Sequence, residues 1–148
     1  MIDVEFDAQA VQDALLGQAD ALRGVLEARI QQKLSGEVLQ TRSGALATSI
    51  ISSIENDGSD TSVSISSSGV PYAAIQEFGG KTAAHDIVAV KAKVLEFGAG
   101  GSQVFARSVH HPGSTIPARS YLGSSLADMR DDIESGFKQT ILEALAPG

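Results

Sequence analysis

The chain has 148 residues, 43% of them hydrophobic, no cysteine and a formal net charge of −7. That length suits one domain able to bury about two-thirds of its unfolded surface. The lack of cysteine excludes disulfides and thiolate metal sites, and the negative charge argues against gripping duplex DNA through a broad basic face.

Asp7 is a fitting N-cap for a first helix, along which Val11, Leu15, Leu22, Leu26, Ile30 and Leu34 recur at spacings of four or seven. Gly17 and Gly24 each weaken it by about 1 kcal/mol relative to alanine, and either is a place for a kink. Ser35-Gly36 or the region near Gln40 ends it. After a short turn, with one helical turn at most, over Thr41–Ile50, the period changes to that of strands. Ile50–Glu55 and Thr61–Ser66 flank a loop containing Asp57-Gly58, a strong hairpin signal, and Val63 and Ile65 alternate with serines. Pro71 then leads a short helix over Tyr72–Phe78, stopped by Gly79-Gly80.

A second strand region follows over Asp86–Val90, Lys93–Phe97 and Gln103–Val109, with a flexible hairpin tip at Gly98–Ser102. Leu122, Leu126, Met129, Ile133, Phe137, Ile141 and Leu145 then step by three or four, which predicts one long helix from about Ser120 to Ala146. The expected class is α+β in a single domain, 1–148. Long N-terminal and C-terminal helices pack on a small, mostly antiparallel sheet that carries a short helix and a protruding hairpin. No apolar run approaches the roughly 20 residues that cross a bilayer, and no basic stretch leads into an apolar one at the start, so synthesis in the cytoplasm is expected.

Charge is uneven. Residues 1–60 hold ten acidic and four basic side chains, 61–120 three and five, and 121–148 five and two. This suits solvated acidic helices around a near-neutral centre, and also charge complementarity between copies.

A search for chemistry finds no catalytic residue, no metal ligand set and no cofactor site. His110 and His111 are adjacent, so on a strand they point to opposite faces. His85 would approach one of them across a hairpin, still short of a third zinc ligand. The serine-rich chain lacks a Gly-x-Ser-x-Gly elbow. Gly98-Ala99-Gly100-Gly101 lacks the Lys-Ser/Thr of a phosphate loop. Glu77, beside Phe78, is a candidate for a raised pKa, but no second acid or base stands at a fixed spacing from it. Lys81, Lys91, Lys93, Arg107 and Arg119 interleave with Tyr72, Phe78, Phe97 and Phe105, a weak single-strand nucleic-acid signal in a chain whose few aromatics are needed for packing.

Three segments carry a resemblance. Thr41–Ile50, TRSGALATSI, resembles the "TG-x-L-x-x-SI" element of tailed-phage neck and tail-completion proteins. Pro71–Gly80, PYAAIQEFGG, resembles their "YA-x-x-x-EFG" element, and His111–Leu122, HPGSTIPARSYL, their "HPG…PARPFL" element before a terminal helix. Ser43 stands where threonine is usual, and Ser120-Tyr121 where Pro-Phe is usual. The chain is similar in this way to lambda Z-like neck proteins and Mu-type virion morphogenesis proteins over about residues 7–145.

The resemblance implies a non-enzymatic virion protein, assembled in the host bacterial cytoplasm. It would form a homo-oligomeric ring, hexameric as in the family, at the head–tail junction. That ring would complete the tail and help join it to the head, touching other connector and tail proteins while DNA passes through the channel without specific recognition. A tail-terminator ring is the neighbouring alternative, and a small nucleic-acid-binding accessory domain is the rival of a different class. Candidate contact residues are Glu77, Phe78, Gly79, Gly98, Gly100, Gly101, Arg119 and Tyr121. Within this reading Phe78 plugs into the core at the end of the short helix, and Glu77 and Arg119 pair. The Gly98–Ser102 tip orders on docking to a neighbouring ring, and the acidic helices line the channel and discourage DNA from sticking.

Overall fold

The computed structural model describes residues 7–40, 44–90, 93–99 and 102–146. Helix α1, Ala8–Gln32, starts where expected: the Asp7 carboxylate accepts hydrogen bonds from the Gln9 and Ala10 N–H groups. It runs unbroken through Gly17 and Gly24 and ends at Ser35-Gly36, as expected, where the backbone leaves helical geometry and the Val38 and Leu39 N–H groups donate to the Lys33 carbonyl. There Gly36, at φ +131°, takes a conformation that side-chain-bearing residues rarely adopt. One short helix, α2 (Ala45–Thr48), precedes strands β1 (Ile50–Asn56) and β2 (Thr61–Ser67).

These two strands form an antiparallel hairpin in register from Ile50 opposite Ser67 to Asn56 opposite Thr61. Its loop is organised by Asp57, whose carboxylate accepts from the N–H groups of Ser59 and Asp60 and from the Ser59 hydroxyl. Those donors, the Asp60 amide foremost, pull the Asp57 carboxyl down to about 2.

Helix α3, Ala73–Phe78, leads into a long ribbon of nested antiparallel pairs. Strand β3 (Gly80–Lys81) pairs with β8 (Thr115–Ile116), β4 (His85–Val88) with β7 (Ser108–His111), and β5 (Leu95–Ala99) with β6 (Ser102–Ala106). The first two pairs share one register. The third pair is shifted against them: Val88 lies opposite Ser108, but Leu95 lies opposite Ala106. Ala99 pairs with Ser102, which leaves Gly100 and Gly101 as the connection; both lie outside the described residues. The expected protruding hairpin is therefore present. Among the described residues the strands stay in ladders of two instead of joining one sheet.

The C-terminal stripe corrects one expectation. The helix is interrupted: α4 (Gly123–Asp128) and α5 (Arg130–Ala144) meet at Met129, at φ −99° and ψ 3°. Met129 is buried, and its N–H is shared between the Ser125 and Leu126 carbonyls. The stripe keeps its helical period across the break because only one residue leaves helical geometry.

Helix α1 packs against both α5 and the β1–β2 hairpin. Ile30, Leu34, Leu39 and Tyr121 form the buried cluster, with Leu26, Leu46, Ile50, Ile65 and Leu122 packed around it. The predicted helical stripes supply Leu26, Ile30, Leu34 and Leu122, and the chain between the two stripes supplies the rest. Burial is concentrated at one end, however, and Leu126, Ile141 and Leu145 remain exposed.

Candidate functional site

The two patterned segments, 71–80 and 111–122, meet at a single buried carboxylate. Helix α3 presents Glu77, which is 7% exposed. One Glu77 carboxylate oxygen, Oε1, accepts from the Ser120 hydroxyl at 2.6 Å and the Gly123 N–H at 2.9 Å. The other, Oε2, accepts from the Tyr121 and Leu122 N–H groups at 2.8 and 2.9 Å.

Three of these donors are backbone amides at and just before the start of α4, so an acid brought from 44 to 46 residues away does the work usually done by a local N-cap. Ser120 completes the join. Its hydroxyl donates to Glu77 and accepts from the Ser124 N–H at 3.0 Å. Burial pushes the Glu77 carboxyl up, but the Ser120 hydroxyl and the three amides more than offset it. The net shift is below the ordinary value. The raised pKa considered from the sequence is thereby corrected: this is a fixed anion, unsuited to giving or taking a proton near neutrality.

Backbone contact reinforces the carboxylate. The Arg119 N–H donates to the Gln76 carbonyl at 2.7 Å. Gly79, at φ +71°, lies so close to the 116–118 segment that a Cβ would stand 2.7 Å from the Ala118 nitrogen and 2.9 Å from the Ile116 oxygen. Glycine is required there for two independent reasons, conformation and space. Tyr121, fully buried, is the anchor that carries the segment into the core.

The candidate contact residues thus divide. Glu77 and Tyr121 are committed inside the subunit and present no outer surface. Gly79 is pressed against its own chain. Phe78 overturns the core-plug expectation: it is 79% exposed, because Glu77, its helical neighbour, takes the inward position. Arg119 is exposed and does not pair with Glu77, whose oxygens are already occupied. It instead borders an open cleft of about 860 Å³ lined also by Leu34, Val38, Leu46, Gln76 and Pro117. Gly98 belongs to β5 opposite Gln103, and Gly100 and Gly101 fall outside the described residues, as do Thr41, Arg42 and Ser43 of the first patterned element.

A second polar cluster escaped the sequence reading. Lys33, buried at the end of α1, reaches Asp128 at 2.7 Å and the Ser124 hydroxyl at 2.8 Å. Arg29 forks between Glu37, at 2.6 and 2.8 Å, and Asp128, at 2.7 and 3.1 Å. Hydrogen bonds from Lys33 and then Arg29 hold the Asp128 carboxyl below its usual value, and Arg29 does the same for Glu37. The only sequence signal was the i,i+4 spacing of Arg29 and Lys33. Their shared acid lies 95 to 99 residues away, beyond the reach of any local pattern.

At the base of the ribbon the His85 and His111 rings stack with centroids 5.1 Å apart, and His110 Nδ1 lies 2.8 Å from Asp86. The adjacent histidines do face opposite ways, each meeting a different partner. Among the described residues no three His, Asp or Glu side chains gather as a metal would need, and no helix is long and apolar enough to cross a membrane. Set against family models, curated proteins and solved structures, the chain matches none of them.

Proposed function

We propose that this chain is a non-enzymatic ring subunit of a phage or phage-like particle, acting at the head–tail junction in tail completion and head–tail joining. The observation that carries the reading is the meeting of two of the segments on which the resemblance rests. Glu77 and Gly79 of the EFG element lock onto Ser120, Tyr121 and the backbone of the PARSYL element. The motif residues therefore have a physical task, fixing the angle at which the terminal helices leave the ribbon. Phe78, between the two locking residues, is left exposed and free to contact a neighbour. A buried, fully hydrogen-bonded anion suits a rigid building block better than a catalyst.

Electron microscopy of the purified chain, alone and with tail tubes, tests this reading. Closed rotational symmetry, with tails that become competent to join heads, is the expected result. A chain that stays monomeric under both conditions, or a salt-sensitive shift of DNA without ring formation, would count against it.

A further inference from the structure

The ribbon between His85 and His111 has almost no support from the body that carries it. Among the described residues, the substantial packing of β4, β5, β6 and β7 is strand against partner strand. Neighbouring residues on a strand point to opposite faces. Ile87 and Val88 are nevertheless both exposed, and so are Val104 and Phe105, the last at 58%. Val90, where the register shifts, is 91% exposed. Among the described residues, both faces of the ribbon therefore carry uncovered apolar side chains. A two-stranded ribbon alone in water is marginal at best, and apolar side chains on an uncovered ribbon mark an interaction surface.

Charge indicates what covers it. Residues 85–111 hold three basic and two acidic side chains, whereas the rest of the chain holds eight basic and sixteen acidic. The helical body also offers apolar side chains with nothing upon them: Leu126 at the start of the C-terminal helices, and Leu142 and Leu145 at their end, beside Glu143. We infer that the 85–111 ribbon is an exchange arm that docks on the acidic helical body of a second copy of this chain. An arm-on-body contact is heterologous, so it repeats from copy to copy and closes wherever the rotation permits. The inference goes beyond the head–tail reading and does not require it.

The test uses the full chain. Its mass is followed by native mass spectrometry across concentration and salt, beside the variant Val88→Ser/Val90→Ser/Phe105→Ser. All three side chains are exposed in the free subunit, so the circular dichroism spectrum and melting temperature should stay those of the wild type. Self-association should weaken about tenfold or more, given the apolar area removed, and the wild-type assembly should loosen as salt rises. A photo-crosslinking amino acid in place of Val90 should give covalent dimers joined to residues 7–40 or 122–146. Dimers joined ribbon to ribbon, a triple variant that associates like wild type, or a wild-type chain that stays monomeric would each overturn the inference. Closed rings that persist in the triple variant sink the arm while leaving the ring reading intact. An open dimer that depends on the three residues supports the arm and counts against the ring.

Discussion

Glu77 illustrates how one side chain can decide the geometry of a subunit. Its carboxylate accepts four hydrogen bonds in a nearly water-free position, three from backbone amides at and just before the start of α4. Glu77→Ala strands those donors, and we expect a loss of about 2–4 kcal/mol in urea unfolding. Glu77→Gln keeps the shape but loses the charge and should cost less. A midpoint unchanged in both variants would show that the clamp contributes nothing. Because folding lowers the Glu77 pKa, its contribution is present above the ordinary glutamate value and disappears as pH falls through the lowered one. Acid unfolding of Glu77→Gln should accordingly be shallower over that window than that of the wild type. Gly79→Ala inserts a Cβ against the Ala118 nitrogen in a positive-φ conformation, and a cost of about 1–3 kcal/mol is expected. Wild-type stability in that variant would mean that the two segments separate without cost.

Between elements, the Lys33–Asp128–Arg29 cluster ties the end of α1 to the end of α4, next to the break at Met129. The two sides of this tie are unequal. Lys33 is buried, whereas Asp128 keeps substantial contact with water. Asp128→Ala leaves the Lys33 ammonium with only the Ser124 hydroxyl, while Lys33→Met replaces the charge by a chain of similar volume. The methionine variant should stay within about 1.5 kcal/mol of wild type, and the alanine variant should melt clearly lower. The reverse order in a thermal scan would refute this account of the tie. High salt should weaken the exposed Arg29–Glu37 arm of the cluster more than the buried lysine contact.

For the molecule as a whole, stability is expected to be uneven. The core sits where the end of α1 meets Leu39, Tyr121 and the β1–β2 hairpin, while the ribbon from 85 to 111 lacks comparable support. In the free subunit, brief trypsin treatment should cut first after Lys93 and Arg107, leaving Arg23, Arg29 and Lys33 intact. Peptide mapping would show this directly, and early cleavage within α1 would contradict it. In an assembled form the same ribbon bonds should become resistant.

Much of this organisation was legible in the residues. Asp7 as a cap, the apolar stripe of α1, the Asp57-Gly58 hairpin, and Pro71 and Gly79-Gly80 around α3 all use signals that act within a few positions. Local sterics and hydrogen bonding settle them before any tertiary contact forms. That is why the elements, the α+β class and the importance of the two patterned segments could be read from the chain alone. The tertiary structure decided which face each anchor took: Glu77 went inward and Phe78 outward, reversing the simple expectation from hydrophobicity. Four converging donors stabilise a buried carboxylate enough to displace an aromatic ring from that place. It also decided the shared acid at Asp128, since that depends on groups brought together from opposite ends of the chain, where no spacing rule operates.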